Sequence, residues 1–194
     1  MKQKTAGPSR QSHVVRIIGG QWKRTRLAVA DKPGLRPTPD RVRETLFNWL
    51  GQDLTGWCCL DAFAGTGALG FEAASRGALE VQLVEKDSAL VAQLKLVESQ
   101  LQATATQIVR GDGIAALRQA APASLHAIFL DPPFDSQLLQ PALLAAARVL
   151  APDGFVYLEA PAHWNDQMLA GSGLAVHRHL KAGAVHAHLL RHAA

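Results

Sequence analysis

Four carboxylates fall at or just past the ends of apolar runs: Asp61 after Trp57-Cys58-Cys59-Leu60, Glu85 after Val81-Gln82-Leu83-Val84, Asp112 after Ile108-Val109-Arg110-Gly111, and Asp131 after His126-Ala127-Ile128-Phe129-Leu130. Short apolar runs bounded by turn residues read as buried strands. In open parallel sheets, ligands gather outside the carboxyl ends of the strands. Acids repeated at such ends are therefore candidates for chemistry. Asp61 also leads into Gly65, Gly67 and Gly70, a G-x-G-x-x-G spacing that provides a tight turn, a close backbone approach to a ligand and a tightly packed helix. Taken alone the pattern is weak, because glycines needed only for a strand-to-helix turn give the same spacing.

Glu85 stands twenty residues after Gly65, where a carboxylate accepts hydrogen bonds from ribose hydroxyls. That combination points to an adenosine-containing cofactor, and two compete. A nicotinamide dinucleotide lays its pyrophosphate on the helix N-terminus, and Asp61 opposes that negative charge. S-adenosylmethionine brings an ammonium and a sulfonium, which an acidic rim favours. Asp112 suits the adenine amine, or alternatively caps the helix that follows. Three acids on successive strand ends favour the methyl donor.

Asp131-Pro132-Pro133-Phe134 offers a carboxylate, carbonyls whose neighbouring donors proline has removed, and an aromatic face. A site with acceptors and no donors fits an exocyclic amine on a planar base. The amine donates to Asp131 and to the Pro132 carbonyl while Phe134 stacks on the ring. The bland alternative is a strand closing on a proline turn.

These residues need a scaffold, and the rest of the chain outlines one. Strands are predicted at 57–61, 80–85, 106–110, 126–131, 155–159, 173–180 and 184–191, with helices at 68–76, 87–101, 113–120 and 137–150. Strand and helix in alternation mean an α/β domain with a parallel sheet covered on both faces. The last two runs are separated only by Lys181-Ala182-Gly183, so they form an antiparallel hairpin. With 194 residues, 48% apolar and 19% charged, the chain is one globular unit, and neither a signal-peptide core nor an apolar run long enough to span a membrane is present. The expected location is the cytoplasm. Cys58 and Cys59 are neighbours on one strand and point to opposite faces, which predicts free, buried thiols.

Charge is unevenly placed. Residues 1–43 hold eleven Lys and Arg against Asp31 and Asp40, a balance of +9, and the remainder, with nine basic and fourteen acidic residues, carries −5. A basic front on an acidic body points to a polyanion, most often nucleic acid. Residues 1–13 read as a flexible basic tail. In 14–50, Val14 to Ile18 and Gln21 to Val29 read as two strands around a Gly19-Gly20 turn. Thr38 then caps a helix with Pro39 at its first position and Val42, Leu46, Trp49 and Leu50 on its apolar stripe. Residues 51–194 form the catalytic body.

The blocks Arg16-Ile17-Ile18-Gly19-Gly20-Gln21-Trp22-Lys23, Gly34-Leu35-Arg36-Pro37-Thr38, Asp40-Arg41-Val42-Arg43-Glu44-Thr45-Leu46-Phe47-Asn48-Trp49-Leu50 and Asp61 to Gly70, with Asp131 to Phe134, resemble the RsmD family of bacterial ribosomal RNA methyltransferases over residues 14–191. The resemblance implies a Rossmann-like class I methyltransferase: a seven-stranded, mostly parallel sheet with an antiparallel C-terminal strand and a small N-terminal β-hairpin extension. It implies methyl transfer from S-adenosyl-L-methionine to N2 of a guanine in 16S ribosomal RNA, within a partly assembled small subunit, by a monomer needing no metal and no membrane. Cofactor roles would fall to Asp61, Phe63, Ala64, Gly65, Gly67, Gly70, Glu85, Lys86, Asp112 and Gly113, and catalytic ones to Asp131, Pro132, Pro133 and Phe134. RNA would be held by Arg16, Trp22, Lys23, Arg24, Arg26, Arg36, Thr38, Arg41 and Arg43. Read from the residues alone, an N6-adenine methyltransferase, an RNA-binding assembly factor without turnover and, more distantly, a dehydrogenase stay open. His177, His179, His186, His188 and His192 crowd the C-terminus; the i, i+2 pairs His177/His179 and His186/His188 each share a strand face, a spacing open to metal, but without an acid or cysteine among them they read as the polar outer face of the terminal hairpin.

Overall fold

A computed structural model of the chain describes residues 14–28, 38–133 and 137–193. The basic tail, Arg36 and Phe134 lie outside the described residues.

The body alternates as the apolar runs predict: β3 (Cys58–Asp61), α2 (Ala68–Ser75), β4 (Glu80–Glu85), α3 (Ser88–Leu101), β5 (Thr106–Arg110), α4 (Gly113–Gln119), β6 (Leu125–Leu130), α5 (Leu139–Val149), β7 (Leu150–Ala160), β8 (Leu174–Ala182) and β9 (Val185–His192). The seven strands form one sheet in the order β5-β4-β3-β6-β7-β9-β8. All neighbouring pairs are parallel except those of β9, which runs against β7 and β8. The chain builds outward from β3 through β4 to β5, then crosses back to β6 on the other side. This reversal opens a crevice at the carboxyl ends of β3 and β6, the place where such sheets bind ligands. Asp61 ends β3 and Asp131 follows β6, so the topology itself puts these two acids at the crevice.

Alternation along the strands divides the core. Leu83, Phe129 and Tyr157 face one side and pack with α2, α3 and the N-terminal segment, whereas Leu60, Ile128, Leu130 and Leu158 face the other and pack with α4 and α5. Cys59 is buried in the first layer and Cys58 lies against the second, both as free thiols; burial pushes the Cys59 thiol up to about 12. Among the described residues, no helix is long and apolar enough to cross a membrane.

The N-terminal segment departs from its simplest reading. β1 (Val14–Arg16) and β2 (Arg26–Ala28) pair antiparallel, but they are only three residues each and the connection spans 17–25. Gly19-Gly20 is not a two-residue hairpin turn. It is where the backbone presses against α2: a Cβ on Gly19 would meet the Arg76 guanidinium at 2.2 Å, and one on Gly20, whose φ is +70°, would meet the Ser75 carbonyl oxygen at 1.8 Å. α1 (Asp40–Trp49) buries Val42, Leu46 and Phe47, and these join Val15, Ile17 and Leu27 in the layer containing Phe71 and Phe129. The helix begins after Pro39 and has no side-chain cap, so Thr38 does not serve as one.

Candidate active site

β3 stops at Asp61, and Gly65 and Gly67 both take positive φ, +50° and +76°, to turn the chain into α2. Gly67 precedes the helix and has no side chain to cap it. The strand supplies the missing cap: Asp61 Oδ2 accepts from Gly70 N–H at 3.0 Å, in the first turn, where backbone donors lack partners and negative charge is favoured. Gly70 is required for another reason. A Cβ there would lie 2.6 Å from the Leu83 side chain, so the glycine lets α2 sit down on β4. Glu85, at the tip of β4, accepts from Gly65 N–H at 2.9 Å and from Asp87 N–H at 2.8 Å, holding the glycine loop from the other side. Ala64 N–H donates to the Val84 carbonyl at 2.9 Å, and Phe63 packs half-buried against the second core layer.

Asp112 caps a helix and also pairs with Lys86. One oxygen caps α4 through Ala115 N–H at 2.9 Å, and the other lies 2.6 Å from Lys86 Nζ. The Lys86 hydrogen bond, then the helix N–H, hold its carboxyl below the usual range. Gly113 follows because a Cβ there would stand 1.9 Å from the Ala62 carbonyl oxygen. The start of α4 is thereby drawn against the end of β3.

The acids in the crevice are strongly perturbed. Burial, partly offset by the Gly70 N–H and reinforced by the charge of Glu85, raises Asp61 to about 7. Asp131 is pushed well above the carboxylate range, first by burial and then by the charges of Glu159 and Asp61. Glu159 on β7, only 3% exposed, is raised by its own burial while Tyr157 and Thr38 hydroxyls donate to it, Tyr157 Oη at 2.8 Å from Oε1. Three carboxylates thus share a space with low dielectric in which, among the described residues, no cation is a main influence holding their proton affinity down, an arrangement typical of functional sites. Pro132 is buried and Pro133 exposed beside them. Clefts at Cys58, Glu80 and Ala120, and at Pro152, Phe155 and His177, lie near the opposite, amino ends of the strands.

The predicted RNA-binding set splits in two. Lys23, Arg24, Arg26 and Arg41 are exposed, and Arg16 reaches Asp40 at 3.2 Å on the surface. Trp22 is half-buried on the core, with its N–H donating to Ser75 Oγ at 3.0 Å. Thr38 and Arg43 are buried and face inward. Arg43, fully buried, bonds Glu72 at 3.3 Å, Asp40 at 2.6 Å, the Arg16 carbonyl at 2.9 Å and, through Nε, the Thr38 carbonyl at 3.2 Å. Neither side chain reaches the exposed basic surface: the Arg43 guanidinium is taken up by these partners, and the Thr38 hydroxyl turns to Glu159.

The residue that organises this region, Glu72, is absent from the predicted set. Fully buried on α2, it accepts from Ile18 N–H at 2.9 Å and Gly19 N–H at 2.7 Å and pairs with Arg43 and with Arg76 at 2.9 Å; Arg76 in turn lies over the Phe47 ring at 4.7 Å. Its signal in the sequence is a single acid inside Ala68-Leu69-Gly70-Phe71-Glu72-Ala73-Ala74, a helix apolar all round and hence buried. Glu159 is signalled in the same way, as the one acid of Val156-Tyr157-Leu158-Glu159-Ala160. A polar chain now links the N-terminal segment to the crevice: Glu72 to Arg43, Arg43 to Thr38, Thr38 to Glu159.

The histidines also divide. His188 is not on an outer face; it is fully buried, accepts from Trp164 N–H at 3.0 Å, and is pushed down to about 4 by burial and by neighbouring histidines. His177 instead contacts Phe155, and His192 approaches the Leu150 carbonyl.

Comparison with known proteins follows the same outline. Residues 15–191 match the family model described as conserved hypothetical protein 95. Ribosomal RNA small subunit methyltransferase D of Escherichia coli (strain K12) is 42% identical over 173 residues, covering 88% of this chain and 86% of that protein. The protein of the same name from Haemophilus influenzae is 41% identical over 150 residues, covering 75% of this chain and 78% of that protein. The solved structure of yhhF from Escherichia coli superposes with a TM-score of 0.80 at 38% identity, over 94% of this chain and 99% of that one.

Proposed function

The chain belongs to the RsmD family, and from that premise we propose that it transfers a methyl group from S-adenosylmethionine to the exocyclic N2 amine of a guanine in small-subunit ribosomal RNA. The observation that carries this reading is the pairing of Asp61 and Asp131 at the crevice where the sheet reverses, Asp61 buried and Asp131 half-buried, both with raised proton affinity.

These residues fit the cofactor. Asp61, Asp131 and Glu159 repel one another, so a ligand bearing positive charge is what their environment lacks. Gly65, Gly67 and Gly113 keep the backbone close at the ends of β3 and α4, and Glu85 stands at the tip of β4 to receive ribose hydroxyls. Lys86 and Asp112 flank the adenine side. When bound, S-adenosylmethionine supplies an electrophilic methyl group.

The chain does the rest by positioning and electrostatics. Positive charge held beside Asp61 offsets the mutual repulsion of the three acids and leaves Asp131 ionised. Ionised Asp131 and the Pro132 carbonyl then accept the two hydrogen bonds of the target amine, which orients the nitrogen lone pair out of the ring plane. Asp131, whose surroundings favour protonation, receives the proton the amine sheds. Tyr157 and Thr38 hold Glu159 still beneath it. Phe134 provides the stacking face.

An internal guanine must leave its stack to reach the crevice, at a cost of a few kcal/mol. Lys23, Arg24, Arg26, Arg16 and Arg41 form the basic surface that holds the flanking RNA, and the Glu72 network fixes that surface to α2, the same helix that the cofactor loop opens. The partly assembled small subunit, in the cytoplasm, is the setting, with the chain acting as a monomer. Replacing Asp131 with alanine tests the roles: methyl transfer to RNA is abolished while RNA binding persists. Undiminished transfer by that variant would overturn the assignment.

A further inference from the structure

Four of the eight histidines meet where the segment after β7 covers the β7–β9–β8 edge of the sheet, and none of them is used in the reaction above. His179 on β8 and His188 on β9 are direct cross-strand partners, so their side chains rise from the same face. His163, in the segment after β7, closes over them: its ring lies 4.2 Å from that of His179 and 5.6 Å from that of His188, parallel to the latter within 4°. One ring nitrogen from each of His163, His179 and His188 can be chosen so that all three lie within 4.8 Å of one another. His186 stands beside them, with Nδ1 at 3.0 Å from His179 Nε2.

We propose that His163, His179 and His188 form a binding site for a divalent transition metal of the zinc class, which fastens the segment after β7 to the terminal hairpin. Three imidazoles with no carboxylate in the set suit Zn²⁺, Ni²⁺ or Cu²⁺ and not the oxygen-seeking Mg²⁺ or Ca²⁺. A tetrahedral ion with bonds of about 2.0 Å to nitrogen needs ligand atoms roughly 3.3 Å apart, so the three must draw together by about 1.5 Å at most. His163 and His179 are exposed, while buried His188 is the fixed anchor. A fourth position remains for water or for His186.

His188 supplies a second, independent sign. Its Nε2 accepts from Trp164 N–H, which places the ring proton on Nδ1, and Nδ1 is buried with no well-formed hydrogen bond, only a loose approach to the backbone of Leu158. A buried donor so poorly satisfied is unfavourable. Ligation through Nδ1 resolves it: the ring proton moves to Nε2 and turns the Trp164 N–H away, so the loop at 163–164 shifts and Trp164 reports it.

The test uses the full chain without an affinity tag, stripped by chelator and titrated calorimetrically with ZnCl₂, NiCl₂ and MgCl₂, with Trp164 fluorescence followed in a variant whose other tryptophans are phenylalanine. We expect one Zn²⁺ or Ni²⁺ per chain, no Mg²⁺, and a change in Trp164 emission that saturates at the same equivalence. His163→Ala and His179→Ala, both exposed and so safe for folding, each lose the bound equivalent, whereas His177→Ala keeps it. Absence of stoichiometric binding, or binding that survives both His163→Ala and His179→Ala, overturns the proposal.

Discussion

Arg41 and Arg43 sit two residues apart in a basic segment, yet the first is exposed and the second fully buried, and substitution separates them. Arg43→Ala removes a fully buried guanidinium that binds Glu72, Asp40 and the carbonyls of Arg16 and Thr38. Removing one partner of a buried ion pair costs about 3–5 kcal/mol. Glu72 keeps Arg76 and two backbone N–H donors, which puts the loss at the lower end, about 3 kcal/mol. For a domain of this size that is a fall in melting temperature of about 6–12 °C. Arg41→Ala, on the exposed side, should change stability by less than about 0.5 kcal/mol. Thermal unfolding followed by circular dichroism reads the first quantity, and RNA binding measured well below either midpoint reads the second. Arg41→Ala should weaken RNA binding, and Arg43→Ala should leave it near wild type. An Arg43→Ala protein that melts like the wild type while losing RNA affinity would refute the buried-network account.

Other consequences can be checked alongside. Gly113→Ala forces a Cβ to within 1.9 Å of the Ala62 carbonyl oxygen, a backbone atom that cannot step aside, so a loss of about 1–3 kcal/mol and weaker cofactor binding are expected in denaturation and calorimetry. Asp61, raised to about 7 in the free protein, contributes stability that is complete below its ordinary value near 3.8 and is lost as pH rises toward 7; a cationic ligand prefers it ionised. Binding of S-adenosylmethionine should therefore release protons and weaken, by up to about tenfold per pH unit, as pH falls below about 7; calorimetry in buffers of different ionisation enthalpy checks this, and affinity independent of pH between about 6 and 8 would contradict it. Replacing Lys23, Arg24 and Arg26 together by alanine should flatten the salt dependence of RNA binding by roughly two units in the log–log slope, given about 0.7 per phosphate contact on single strands.

What the sequence made legible follows from what is local. Periodicity places strands and helices, and an acid that closes an apolar run has to emerge at a strand end. Asp61, Glu85, Asp112 and Asp131 were therefore readable, as was the reversed last strand, since Lys181-Ala182-Gly183 leaves no room for a crossover helix. Arg43 was misread because its partner, Glu72, lies on another helix 29 residues away, and spacing along α1 shows only that Arg43 is not aliphatic. Gly19-Gly20 has the signature of a turn, and the close approach of α2 that requires it is a tertiary fact. His188 looked solvated because alternation on a hairpin does not reveal that His163 and Trp164 cover that face. Glu159 went unnoticed since a lone acid in a strand carries no motif. Arg36 and Phe134 belong to the predicted site but lie outside the described residues.

The most direct test of the central claim is the identity of the methylated nucleoside. Small subunits and free 16S RNA from cells lacking this chain, incubated with the purified protein and methyl-labelled S-adenosylmethionine, are digested to nucleosides and analysed by mass spectrometry. The account predicts label in N2-methylguanosine alone, lost with Asp131→Ala; label in N6-methyladenosine, or none in any RNA substrate, would contradict it.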